Sequence, residues 1–514
     1  MRPDRNAATA SMPPLARVVI VCFLTVLAPA HVVMGAVPGP TPNAATTALP
    51  ASAAPTPPDC GTTLQSLVDA APPGAVLAVP PCVFRETVRL TKPVTLDGQG
   101  RAEVRGSDVW DTGWSRVGAL WLHGGAPAFP DTGGYCAAGT ERCHWPEQVF
   151  LDGLPLLQVG STPTNGQFSI DGGWVILADD PRGRTVEVTT RQFWVIGEAS
   201  DVVIQGFTMR HGASPAQRGS LLVVEQSNWT VQNNTLSDAH GAVFTIEGGS
   251  GFRLLNNDIA RAGSVGAGAS EASTILFQGN RIHHNNTEEF DAGWSGGGSK
   301  NALVTGMVFD ANDVFSNNGP GLWCDVFCED VTFSNNRIHQ NGSEGIKYEI
   351  SGFATIYGNT LWENGWSGAG WCFGAGILVQ NSHHVEVFGN VLAWNQVGGS
   401  VISQNREGAN DVVENHFHDN IIVSQAGVNA LAYCHDWGES TLFEPGSNNR
   451  GANNRYWYPG PEGSEQRFGW ADGGIPTLAE FGATAGEENG RYLTAAEKDA
   501  VLASEAMPAT PEAR

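Results

Sequence analysis

TVQNNTL (Thr230–Leu236), RLLNNDI (Arg253–Ile259), LFQGNRI (Leu276–Ile282), VFDANDV (Val308–Val314), TFSNNRI (Thr332–Ile338), TIYGNTL (Thr355–Leu361), EVFGNVL (Glu386–Leu392) and FHDNIIV (Phe417–Val423) are one phrase repeated along the chain. Its Asn falls at 234, 257, 280, 312, 336, 359, 390 and 420, in steps of 23, 23, 32, 24, 23, 31 and 30 residues. A period in the low twenties is one coil of a solenoid. The strands around each Asn are short and alternate in polarity, so each coil reads as β throughout. The Asn is expected to take the left-handed corner conformation and to hydrogen-bond to its copies up the stack. The longer steps mark insertions at 282–299 and 364–375, rich in Gly and Trp. Loops on a solenoid collect on one face and often build the binding site.

Working outward, the chain of 514 residues has 64 glycines and 30 prolines. Arg2, Arg5 and Arg17 precede an apolar run from Val18 to Leu27, and Ala28-Pro29-Ala30 fits a cleavage site. Residues 1–30 therefore read as a signal peptide, too short in its apolar part to span a bilayer. A Pro/Ala/Thr-rich linker is expected over 31–58, a cap with the first coils over 59–200, regular coils over 201–440 and a closing segment over 441–514, with a helix near Thr494–Ala503. Export fits the cysteines. Of nine, Cys22 lies in the signal, leaving Cys60, Cys82, Cys136, Cys143, Cys324, Cys328, Cys372 and Cys434, an even set suited to disulfides. Cys60–Cys82 and Cys136–Cys143 are near enough in sequence to pair. No Cys-x-x-Cys is present, which disfavours zinc, and the adjacent His283-His284 and His383-His384 should point to opposite faces. The net charge of −24 argues against nucleic acid and anionic membranes as partners. No cofactor is expected, with structural Ca²⁺ left open, and a capped solenoid suits a monomer.

GLWCDVFCEDVTFSNN (Gly321–Asn336) and GIKYEISGFATIYGN (Gly345–Asn359) are consecutive coils. Aligning Gly321 with Gly345 stacks Trp323 on Lys347 and Asp325 on Glu349. Alternation sends Leu322, Cys324, Ile346 and Tyr348 to the core, and Trp323, Asp325, Lys347 and Glu349 to the solvent face. The next coil places Gln380 in the Asp325–Glu349 column. Neighbouring strands lie ~4.8 Å apart, and retaining glycosidases hold their two carboxyls about 5–5.5 Å apart. Proximity also raises the proton affinity of one acid of a pair. Trp323 suits a sugar ring, and Lys347 can keep a nucleophile ionised. In the first insertion, Asp291 and Lys300 are candidates for sugar hydroxyls and Trp294 for stacking; in the second, Trp366 and Trp371 are candidates to wall a pocket.

The stretch TTLQSLVDAAPPGAVLAVPPCVFRETVRLTKPVTLDGQG (Thr62–Gly100) resembles the opening segment of pectin-lyase-like right-handed β-helices, with a short capping helix. EQVFLDGLPLLQV (Glu147–Val159) and ADDPRGRTVEV (Ala178–Val188) resemble the lead-in of carbohydrate-active members. The resemblance covers roughly 60–440 and implies an all-β, right-handed parallel β-helix with an N-terminal cap and a short C-terminal tail. The coils carrying Asp325 and Glu349 resemble β-helical retaining β-xylosidases. That likeness implies a secreted glycoside hydrolase acting on an oligo- or polysaccharide, with Asp325 as nucleophile and Glu349 as acid/base. No stretch reads as that family's inserted β-sandwich. Two alternatives stand beside it: a polysaccharide lyase with Lys300 or Lys347 as base, disfavoured because few basic residues lie near the column, and a non-catalytic glycan-binding surface protein.

Overall fold

The recurrent Asn decides how one coil sits on the next. The computed structural model describes residues 60–130, 133–367, 370–406, 411–436, 440–471 and 473–511, so the signal peptide and the linker lie outside the described residues. Oδ1 of Asn257 accepts from both the backbone N–H and the Nδ2 of Asn234, at 3.0 and 3.1 Å. The same Nδ2 also donates to the Ile204 carbonyl of the preceding coil. This set of bonds repeats through Asn280, Asn312, Asn336, Asn359, Asn390 and Asn420 to Asn454, where the Glu487 carboxylate closes the file. Every one of these amides is buried and satisfied, which is the condition for keeping a polar group inside.

The corner expectation needs correcting. The left-handed residue is the one before each ladder Asn: Asn233, Asn256, Gly279, Ala311, Asn335, Gly358 and Gly389, with φ from +52 to +67°. Turning the corner there leaves the next residue free to lay its amide along the stack. A second buried ladder, missed in the sequence, joins Asn285, Asn317, Asn341, Asn364 and Asn395 at the following corner. Again the preceding residue is left-handed, as at His284, Ser316, Gln340, Glu363 and Trp394.

Three parallel sheets run the length of the solenoid. The face that matters for function stacks Gly219–Val224, the first halves of Ala242–Leu255 and Val265–Gln278, then Gly297–Ala302, Leu322–Asp325, Ile346–Glu349, Ala375–Gln380, Val397–Ser403 and Leu431–His435. The interior is one continuous apolar core in which Phe277 meets Phe309 edge to face at 5.4 Å and Phe309 stacks on Phe333 at 5.0 Å. The helix Leu64–Ala70 is capped by the Thr63 side chain, and the helix Ala495–Ser504 begins with a Thr494/Glu497 capping box.

Val94–Arg105 pairs directly with Val202–Gly212, and of the chain between them residues 107–189 leave the solenoid before Val195–Gly197 rejoins it. They fold into two small sheets around a separate core of Trp121, Val149, Leu151, Phe168, Val175 and Val186. The sequence reading expected no such insert. Its strands are only two to five residues long and carry no period, so no repeat signal marks them. The insert is tied to the coils through buried Glu187, which Arg105 and Arg85 each bind at 2.7 Å; beside it, within the coils, Glu103 pairs with Arg105 at 2.5 Å and with Arg210. Burial alone would raise both carboxyls, but the arginines outweigh it and hold them below the usual carboxylate range.

Depressed folded-state values mean that this anchoring is fully present above the unfolded carboxylate range, about pH 4.3, and is lost as pH falls through the lower folded values. The melting temperature is expected to drop below about pH 4, and Glu187→Gln to flatten that acid limb while lowering stability at neutral pH. Thermal melts of both proteins from pH 3 to 8 check this.

Cys60–Cys82 and Cys136–Cys143 are disulfides, as their proximity suggested, and Cys372–Cys434 is a third. The even count does not extend to Cys324 and Cys328, which are buried thiols. Cys324 points into the core beneath Asp325, where it serves as a small apolar side chain.

Candidate active site

The register is the one read from the two coils: Leu322 pairs with Ile346, Trp323 with Lys347, Cys324 with Tyr348 and Asp325 with Glu349. Gln380 follows Glu349 in the same column, and Lys300 precedes Trp323 in the neighbouring one. Leu322, Cys324, Ile346 and Tyr348 face the core. The opposite face is not open to solvent, however. Trp323, Lys347 and Glu349 are 1%, 8% and 4% exposed, because loops close over this part of the sheet.

Lys300 Nζ pairs with Asp325 at 2.9 Å, and Lys347 Nζ with Glu349 at 2.8 Å. Both ammonium groups lie over the Trp323 ring, 4.0 and 4.3 Å from its centroid, one from each neighbouring coil. Arg406 adds a third cation, with Nη2 3.2 Å from Glu349 Oε1. Beyond it, Gln380 donates to Gln404 at 2.6 Å, and Gln404 to Asp436 at 2.9 Å. Arg406 and Gln404 were missed in the sequence, and Asp436, beside His435 in a late loop, carried little weight there. They lie on coils further along the same face, after strands in which no periodic residue singles them out. Basic residues therefore do converge on this column, against the sequence expectation.

Burial pushes Asp325 up; Lys300 opposes this, the Glu349 charge adds to it, and the net displacement is upward. Burial would raise Glu349 as well, but Lys347 and Arg406 outweigh it and hold that carboxyl below its ordinary range. Lys347 is raised despite its burial by Glu349 and Glu344, so it keeps its proton. The two acids are thus driven apart, one toward holding a proton and the other toward ionisation.

The first insertion supports this cluster from the side. The Trp294 carbonyl accepts from Lys300 Nζ, and the Trp294 ring packs against Tyr135 and Phe290. The Asp291 carboxylate accepts the Gly293 N–H at 2.7 Å, capping the helix Ala292–Ser295. Trp371 is 46% exposed and packs on Phe373, next to the disulfide that joins its loop to Cys434. The Trp366 indole N–H donates to the Trp394 carbonyl, away from the acid pair's strands. A shallow cavity of about 160 Å³ adjoins Lys300, floored by Gly268, Ser270 and Ala302 from the same face.

A family model described as the right handed beta helix region matches residues 219–371. The fold is a right-handed parallel β-helix. Among solved structures, this β-helix is similar to the complex of XylC with xylose: 14% identity, 80% of this chain, 83% of the other, TM-score 0.54. It is also similar to the A-module of mannuronan C-5 epimerase AlgE6 from Azotobacter vinelandii: 12% identity, 84% of this chain, 94% of the other, TM-score 0.50. No curated protein matches the sequence.

Proposed function

We propose that the protein is a secreted retaining glycoside hydrolase that uses Asp325 and Glu349 on an oligo- or polysaccharide. The observation that carries this reading is the pair itself: two carboxyls on adjacent paired coils, Asp325 pushed up by burial against the pull of Lys300 and Glu349 held down by Lys347 and Arg406. Strand spacing of ~4.8 Å suits the retaining geometry rather than the wider inverting one. Trp323, Lys300, Lys347 and Gln380 shape the site, with Trp294, Asp291 and Trp371 on the flanking loops. The disulfides fit an oxidising compartment, and among the described residues no helix is long and apolar enough to cross a membrane.

The resemblance assigns Asp325 as nucleophile and Glu349 as acid/base; the charges favour the reverse. A carboxylate held ionised by two cations is ready to attack, and a carboxyl pushed up by burial is ready to donate to the leaving oxygen. The lyase alternative asks Lys300 or Lys347 to act as a base, yet Lys347 is held protonated against Glu349 and Lys300 is paired with Asp325. A panel of aryl glycosides led by the β-xyloside tests the reading, prompted by the likeness to a structure holding xylose. Release of the aryl group with retained anomeric configuration is expected. An unsaturated product absorbing in the ultraviolet, or no turnover of any glycoside, would overturn it.

A further inference from the structure

A second cavity, of about 210 Å³, lies where the two-sheet insert meets the solenoid, away from the Asp325–Glu349 strands. The insert contributes Arg142, Glu147, Val149, Leu156, Gln158 and Phe168; the coils and the first insertion contribute Asp238, Arg261 and Glu288. Crevices between two packed bodies are common ligand sites. Here most charges are already matched. Arg261 binds Asp238 through two bonds of 2.7 Å, and Arg142 binds Glu288 at 3.1 Å. Gln158 Nε2 donates to Glu147 at 3.2 Å. Gln158 is only 9% exposed, yet its Oε1 has no hydrogen-bond partner among the described residues. A buried amide oxygen left unsatisfied costs the full desolvation of that group, so it calls for a donor from outside the chain.

We infer that this crevice is a binding site for one neutral sugar unit, distinct from the acid pair. The chemistry of the lining selects the class. Gln158 Oε1 can only accept, so the ligand must bring a hydrogen-bond donor, as a sugar hydroxyl does. Two arginines against three carboxylates offer both donors and acceptors to further hydroxyls; their formal net charge of −1 disfavours an anion, and burial pushes the Glu288 carboxyl up, toward its neutral form. Val149, Leu156 and Phe168 give an apolar wall for the C–H face of a ring. At ~30 Å³ per water, the volume equals roughly seven waters, the scale of a single pyranose. The site has a physical route to the catalytic candidates. Glu288 belongs to the insertion that runs on through Trp294, whose carbonyl receives Lys300, the partner of Asp325. The inference does not depend on the hydrolase reading.

Binding of D-xylose, D-glucose and D-galactose, with D-glucuronate and D-glucosamine as charged controls, tests it by calorimetry and by hydrogen exchange of Val149–Gln158. At least one neutral sugar is expected to bind wild type and Glu349→Gln equally and to protect that segment. Gln158→Leu or Gln158→Met should weaken binding about tenfold, the effect of one buried hydrogen bond, with an unchanged melting temperature. Protection of Val149–Gln158 in the wild type needs no variant, so a misfolded substitution leaves the test intact. No protection by any neutral sugar, or equal binding of the charged sugars through Gln158, would overturn the site. Failure here, with aryl glycosides still hydrolysed, leaves the hydrolase reading standing.

Discussion

Glu349→Gln and Asp325→Asn are each expected to abolish most turnover, but for different reasons that azide separates. Removing an acid catalyst forfeits about 10²–10⁴ in rate, and removing a nucleophile at least as much. If Glu349 is the nucleophile, as Lys347 and Arg406 favour, azide should rescue Glu349→Gly to a glycosyl azide of inverted configuration. Azide added to Asp325→Gly should give the retained azide instead, and Asp325→Asn should keep activity only on aryl leaving groups that need no proton. The pH profile follows from the same assignment. Activity needs Glu349 ionised and Asp325 protonated, so kcat/KM falls in acid through the depressed Glu349 value and in base through the raised Asp325 value. Asp325→Asn should erase the basic limb on activated substrates. The opposite azide products would restore Asp325 as nucleophile, and full activity in both variants would remove the pair from the mechanism.

How far the site could be read from sequence follows from which forces placed each residue. Trp323, Asp325, Lys347, Glu349 and Gln380 were legible because register and alternation are fixed by the stack, and the repeat reveals both. Arg406 was not, because its approach to Glu349 depends on a loop path after Val397–Ser403 that carries no period. The burial of Trp323 and Glu349 was also hidden: alternation names a face but says nothing of what covers it. The insert over 107–189 escaped for a related reason, since its short strands pair mostly antiparallel and in sheets of their own. Cys324 and Cys328 show the limit of counting, because an even number of cysteines leaves open which are packed as thiols.

Asn336→Ala should cost far more stability than any surface change on the same coil, and comparison with its neighbour tests the corrected corner. Oδ1 of Asn336 accepts from the N–H and Nδ2 of Asn312 at 3.0 and 2.9 Å, and its Nδ2 donates to Phe309 O and Asn359 Oδ1 at 3.0 and 2.9 Å. Truncation strands groups on the two flanking coils inside a buried file. At about 1–3 kcal/mol for each unsatisfied group, a loss of about 3–5 kcal/mol is expected. Asn335 holds the left-handed φ of +56°, so Asn335→Gly should be nearly neutral, whereas Asn336→Gly should be as damaging as the alanine. Because each coil contacts only its neighbours, the loss should concentrate locally. Hydrogen exchange should show it in Phe309–Asn312 and Thr355–Asn359 before the ends of the solenoid, alongside a fall in the denaturation midpoint. Equal tolerance of glycine at both positions, or a loss at 335 but not at 336, would overturn the amide stack as what holds the coils in register.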